Sequence, residues 1–507
     1  MHGSVRVNGN NVVPGKASFV YSARCYPQDA FIIQNRYVAA RRGRHSIGVN
    51  PLHDHDDLIP GMEQAELGIV ILLIHFLRIV PCRGIICTLK YPDRLVHIAC
   101  ACLLFLLLPG CRTPTPVVPD VPVSEIPPSI AAEQPPDLPL PVNGEGVDED
   151  VQQLVHEQLS RMSRRQRIAQ RFVTFVPRSF DLSPRTELRY GSDMAAFVRM
   201  IAADSPAGFI VYPWNYRDRD GLIELTAALQ RMADILHPGL SFFVSADQEG
   251  GRVAAFRFPD IVRTPSAASV ARHGSDLYIE RLAFVVGVEL NAMGVNMNLA
   301  PVLDLVDTPD ASIIGDRAWG NDPDTVARFA AAYTRGIGEA GVIATAKHFP
   351  GHGVTRVDSH GRLPVVEYRM ADLVSRELIP FVSAIEAGIP TIMTAHILFP
   401  HIDSEFPVTM SPRFVNELLR EQLGFDGVVI SDGLEMGALR GEFDLDTTLA
   451  QTIRAGVDLI LLYDRYNLTD VIDRVERLID GGHISMNEVD RSVERILLLK
   501  ARYGLLR

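Results

Sequence analysis

Between residues 347 and 360 the chain reads KHFPGHGVTRVDSH, three histidines, a lysine and an aspartate within one Gly- and Pro-punctuated stretch. Such side chains could ligate a metal, cradle a phosphate or move protons. Metal is the weakest reading. Imidazoles and carboxylates need ligand spacing to hold an ion, and RFVTFVPRSF at 171–180, the first apolar run of the folded region, offers no His-x-His pair. Phosphate fares little better, because neither GxxxxGK[ST] nor a strand-to-helix GxGxxG occurs. Proton transfer fits. Asp358 and His360 are two apart, so in extended backbone they project to one side and the carboxylate can reach the imidazole. A carboxylate there fixes the tautomer and favours the charged ring, leaving His360 able to give a proton and take one back. The alternative is a surface loop in which both side chains simply face water.

A device of this kind needs elements to aim it. Eight short β-branched runs are strand candidates: RFVTFVP (171–177), AGFIVYP (207–213), LSFFVSA (240–246), VNMNLAPVL (295–303), VIATA (342–346), TIMTA (391–395), GVVIS (427–431) and DLILLY (458–463). Helix candidates lie between them, including 276–294, 323–341 and 370–388, several closed by the glycine expected just past a helix. The alternation predicts an α/β fold, a (β/α)8 TIM-like barrel, with a doubly wound open sheet as the alternative. Asp247, Asp304, Lys347 with His348, His396, Asp432 and Asp464 each follow a strand candidate. In a barrel these ends converge on the face where active sites are built. Asp304 and Asp464 could instead cap the helices that follow.

Taken together, DQEGGRV (247–253), NLAPVLD (298–304), GDRAWG (315–320), KHFPGHG with DSH (347–360), ISDGLEMGAL (430–439) and ILLLKARYG (496–504) resemble glycoside hydrolase family 3, in particular its single-barrel bacterial β-N-acetylglucosaminidases of the NagZ type. The likeness runs in order over about residues 150–507. It implies retaining hydrolysis of a carbohydrate through a covalent glycosyl-enzyme, with Asp432 the nucleophile, His360 the acid/base and Asp358 its orienting partner. It assigns the sugar hydroxyls to Asp247, Arg317, Lys347 and His348, and implies no metal or cofactor. Arg252 is expected to pair with a neighbouring acid, Trp319 to stack on sugar or pack its own loop, and His352 to hold the PGHG turn. Two positions depart from the pattern. Ala255 stands where an arginine often contacts substrate, and Gly433 stands where a second aspartate often follows the nucleophile. A phosphorylase or another β-glycosidase of the family is the nearest alternative function; for the phosphorylase, an imidazole acid/base carries no negative charge in either form and so repels an incoming anion less than a carboxylate does. A non-catalytic glycan-binding lipoprotein is the more distant one.

The rest of the chain bounds location. A net charge of −12 disfavours nucleic acid as a partner. All six cysteines lie within residues 1–111, so the catalytic region has no thiolate chemistry of its own. The run LVHIACACLLFLLLPG at 95–110, flanked by Lys90 and Arg94, reads as a signal-peptide core ending in LPGC, similar to a bacterial lipobox with Cys111 as the lipidated residue. An ordinary membrane anchor is the alternative. The Pro-rich 112–149 segment reads as a tether. Residues 1–94 form an extension of uncertain status, with translation expected to start downstream of Met1. The expectation is an exported, membrane-anchored monomer, with a cytoplasmic enzyme as the alternative.

Overall fold

The computed structural model describes residues 149–177, 194–308, 312–355, 357–463 and 465–507, and the strand backbones of 20–25 and 31–36. Those two N-terminal strands, Val20–Cys25 and Phe31–Arg36, pair antiparallel. The signal-like segment, Cys111 and tether residues 112–148 lie outside the described residues.

Every strand expected from the sequence is present, shorter than expected except that the fifth runs on past 346: β1 (Phe172–Phe175), β2 (Gly208–Ile210), β3 (Phe243–Ala246), β4 (Met297–Asn298), β5 (Ile343–Phe349), β6 (Thr391–Thr394), β7 (Val428–Ser431) and β8 (Ile460–Leu461). They form one 8-stranded parallel sheet in which each strand pairs with its sequence neighbour and β8 pairs with β1 through Ile460↔Phe172. A parallel bridge between Ile430 and Leu459 closes the last gap. The sheet is therefore a barrel, which excludes the open alternative.

Period-two alternation explains why these runs are apolar throughout. Along β7, Val428 and Ile430 point into the barrel core while Val429 faces the helices, and on β8 Leu461 points inward between Ile460 and Leu462. A parallel strand covered on both faces has no solvent side to mark with polar residues. The helix Asp276–Ala292 is capped by Ser275, and Pro323–Glu339 by Asp322, whose carboxylate accepts from Thr325 N at 3.1 Å. Residues 370–388 depart from the expected single helix. Met370–Asp372 gives way to a widened turn, in which Leu378 N donates to Leu373 O at 2.9 Å, before Ile379–Glu386 resumes. Pro380 has no N–H to give and its ring would crowd the carbonyl one turn back, so the backbone loosens just before it.

Candidate active site

Asp432 follows β7 directly and is half-buried at the barrel mouth. Its Oδ1 accepts the Gly433 N–H at 2.7 Å. Burial opposes its charge, yet His396, His348, that N–H and Lys347 outweigh burial and hold the carboxyl below its ordinary range. His396, buried after β6, supports the same turn: Nε2 lies 3.0 Å from Gly433 O and Nδ1 2.8 Å from Thr409 Oγ1. A carbonyl only accepts, so Nε2 carries the hydrogen, and burial keeps the ring from protonating readily. Gly433 has a local reason. A Cβ there would sit 2.0 Å from Cε2 of Tyr463, which rises from the end of β8 into the space a second aspartate would need.

The floor opposite is a web of charge. Lys347, 2% exposed, reaches Asp247 Oδ1 and Glu249 Oε1, each at 2.7 Å. Arg317 clasps Glu249 with Nε at 2.8 Å and Nη2 at 2.7 Å, a two-pronged fit of guanidinium to carboxylate. Burial works against charge on Glu249, but Lys347 and Arg317 prevail and bring its carboxyl down to about 2. Asp304 does not cap a helix. Fully buried, it meets His348 Nδ1 at 2.7 Å and accepts the backbone N–H groups of His348 at 3.2 Å and His352 at 2.7 Å. The PGHG turn is thus folded around one carboxylate.

That turn hands over to the proton-moving loop. Buried His352 bridges Thr355 Oγ1 (2.6 Å from Nδ1) and Ser359 Oγ (3.2 Å from Nε2). Burial, then the neighbouring His348, push its ring down to about 4, so it is a neutral strut at neutral pH. Beyond it, His360 Nδ1 lies 2.8 Å from Asp358 Oδ1, whose oxygen also accepts His360 N–H at 2.9 Å. The His360 N–H first, then its ring, hold the Asp358 carboxyl below its ordinary range. The two side chains are 73% and 60% exposed. Exposed ion pairs add little to folding, so the pair matters for what it presents rather than for stability. The loop docks onto the segment that follows Asp432: Gly437 N donates to His360 O and Ala438 N to Ser359 O, both at 3.0 Å. Both catalytic candidates therefore hang from one short stretch, 432–438.

The remaining expectations fall into place around this core. Arg252 pairs with Asp316 at 3.0 Å and donates to the carbonyls of Ile313 and Ile314, bracing the Arg317 loop. Trp319 is buried edge-on against Phe329 at 5.9 Å, so it packs against the helix Pro323–Glu339 that follows its loop. The small side chain of Ala255 packs against the core. Asp464 lies outside the described residues. Sequence reasoning passed over Glu249 and Tyr463, and placed His396 at a strand end without giving it a role. The first had a signal, since Asp247 and Glu249 alternate in DQEGG and so share one side of an extended segment.

A half-buried carboxylate and a loop-borne imidazole–carboxylate pair on one mouth can attack an electrophilic carbon while protonating its leaving group. Relatives of this chain are found both by sequence and by structure. The family described as "Glycosyl hydrolase family 3 N terminal domain" matches residues 147–499. Beta-hexosaminidase A of Pseudoalteromonas piscicida is 32% identical over 317 residues, 58% of this chain and 53% of that protein, so this chain spans about half of that relative's length. Beta-hexosaminidase LpqI of Mycobacterium tuberculosis is 35% identical over 285 residues, 55% of this chain and 73% of that protein. Among solved structures, a glycoside hydrolase family 3 beta-N-acetylglucosaminidase from Paenibacillus sp. superimposes with a TM-score of 0.62 at 35% identity, over 68% of this chain and 63% of that one.

Proposed function

This chain belongs to glycosyl hydrolase family 3, and from that premise we propose that it is a retaining β-N-acetylhexosaminidase that removes terminal β-linked N-acetylglucosamine from glycans. The carrying observation is the docking of the Asp358–His360 loop onto the segment that follows Asp432. Asp432 attacks the anomeric carbon while His360 passes its Nε2 proton to the departing glycosidic oxygen, giving a covalent glycosyl-enzyme. Water then enters, His360 takes its proton, and Asp432 leaves as carboxylate, so the enzyme returns to its starting charge. Asp358 keeps the His360 hydrogen on Nδ1 and offsets the charge of the imidazolium. Asp247, Arg317, Lys347 and His348 grip the sugar hydroxyls, with Glu249 holding Lys347 and Arg317 in place. The similarity of the chain to proteins named beta-hexosaminidase supports N-acetylglucosamine as the sugar.

The proposal extends to place. A monomer acylated at Cys111 and held on its Pro-rich tether would act outside the cytoplasm on peptidoglycan-derived glycans. Mass spectrometry of the mature N-terminus tests this, and an N-terminus other than acylated Cys111 contradicts it.

Turnover of aryl β-glycosides of N-acetylglucosamine, glucose and xylose tests the activity. The expected result is selective hydrolysis of the N-acetylglucosaminide. Preference for another sugar overturns the substrate, sugar 1-phosphate formed in phosphate buffer overturns hydrolysis, and binding without turnover on all three overturns catalysis.

A further inference from the structure

Three aromatic rings line the side of the mouth formed by the ends of β8 and β2. Tyr463 leans over Gly433, next to Asp432, and its ring lies 6.1 Å from that of Tyr212. Tyr212 in turn stacks on Trp214 at 4.5 Å with 16° between the ring planes. The row runs outward, because Tyr463 and Tyr212 are half-buried while Trp214 is 46% exposed. Burial pushes both phenols above their ordinary range, and the carboxylates of Asp247 and Asp432 add to it, which places the rings within the field of the site.

The outermost ring is held firmly. Trp214 sits in the single-turn segment Pro213–Asn215. Buried Asn215 fastens that turn: its Nδ2 donates to Val176 O at 2.8 Å and Pro177 O at 3.2 Å, and its Oδ1 accepts Tyr212 N–H at 2.8 Å. A turn fastened by buried polar bonds thus holds a broad aromatic face at the rim. The apolar face of a pyranose ring is the chemistry that meets such a surface.

We propose that Trp214, backed by Tyr212 and Tyr463, is a stacking platform for the leaving-group sugar, the ring on the far side of the scissile bond. The inference rests on the glycosidase reading above. In a pocket whose floor grips the terminal sugar, the part of the substrate that reaches the rim is the part about to leave. The platform therefore sets preference for a carbohydrate leaving group over a small one.

The test compares Trp214→Ala and Trp214→Phe with the parent chain on two substrates: diacetylchitobiose, whose leaving group is a sugar, and β-N-acetylglucosaminyl fluoride, whose leaving group has no ring. In Trp214→Ala the ratio of kcat/KM for the disaccharide to that for the fluoride should fall about tenfold, chiefly through KM, and Trp214→Phe should restore most of it. An unchanged ratio, with both substrates slowed alike or neither slowed, overturns the platform. If the parent chain turns over neither substrate, the glycosidase reading fails, and calorimetry then reads the platform alone. Diacetylchitobiose should bind Asp432→Ala about tenfold more tightly than the Asp432→Ala, Trp214→Ala double variant, and equal binding overturns the platform.

Discussion

Glu377 gives a prediction whose size can be worked through. It lies on the widened turn after β5, 1% exposed, with Arg376 Nη1 at 3.1 Å from Oε1 and no hydrogen-bond partner for Oε2 among the described residues. Gly351 of the PGHG turn packs against it. Burial raises its carboxyl, Arg376 opposes, and Asp304 and Asp307 add to the rise, taking it from the ordinary 4.5 to about 7. The folded chain thus holds this proton more tightly than the unfolded chain, so the cost is absent below pH 4.5, grows between 4.5 and about 7, and is complete above. At about 1.4 kcal/mol per pH unit the full cost is about 3 kcal/mol. Glu377→Gln keeps the shape and an acceptor for Arg376 while removing the titration. Urea denaturation at pH 5 and pH 8 should show the variant gaining about 2 to 3 kcal/mol relative to the parent at the higher pH, once the pH 5 difference is subtracted. Parallel stability curves for the two proteins across that range would refute the reasoning, because they would mean Glu377 titrates alike folded and unfolded.

Two substitutions probe the site itself. Gly437→Ala would put a Cβ 2.5 Å from Gly361 O and 2.6 Å from His360 O, both backbone atoms that cannot turn aside. The loop should shift, with kcat for a poor leaving group falling about a hundredfold and that for a dinitrophenyl glycoside, which leaves without a proton, falling far less. Glu249→Gln removes the carboxylate shared by Lys347 and Arg317, and kcat/KM should drop at least about tenfold, mostly through KM, in steady-state assays with the N-acetylglucosaminide.

The barrel was legible because each strand is short, β-branched and apolar on both faces, and because polar residues gathered at strand ends. The Asp358–His360 contact was legible because two-residue spacing is local. What could not be read was whatever depends on neighbouring strand ends far apart in sequence. Nothing around Gly433 announces that the ring of Tyr463 occupies its side-chain space. Nor does Asp304, placed like a helix cap, announce that the PGHG turn closes on it. The widened turn before Pro380 was overlooked because its apolar spacing still reads as one helix.

The central claim is that Asp432 forms a bond to the sugar. Incubating the protein with 5-fluoro-β-N-acetylglucosaminyl fluoride, then mapping peptides by mass spectrometry, reads that bond directly. The account predicts one fluorosugar adduct, on the peptide containing Asp432 and absent from Asp432→Ala. Hydrolysis of β-N-acetylglucosaminides accompanied by an adduct on another residue, or by an inverted product with no adduct, would contradict it.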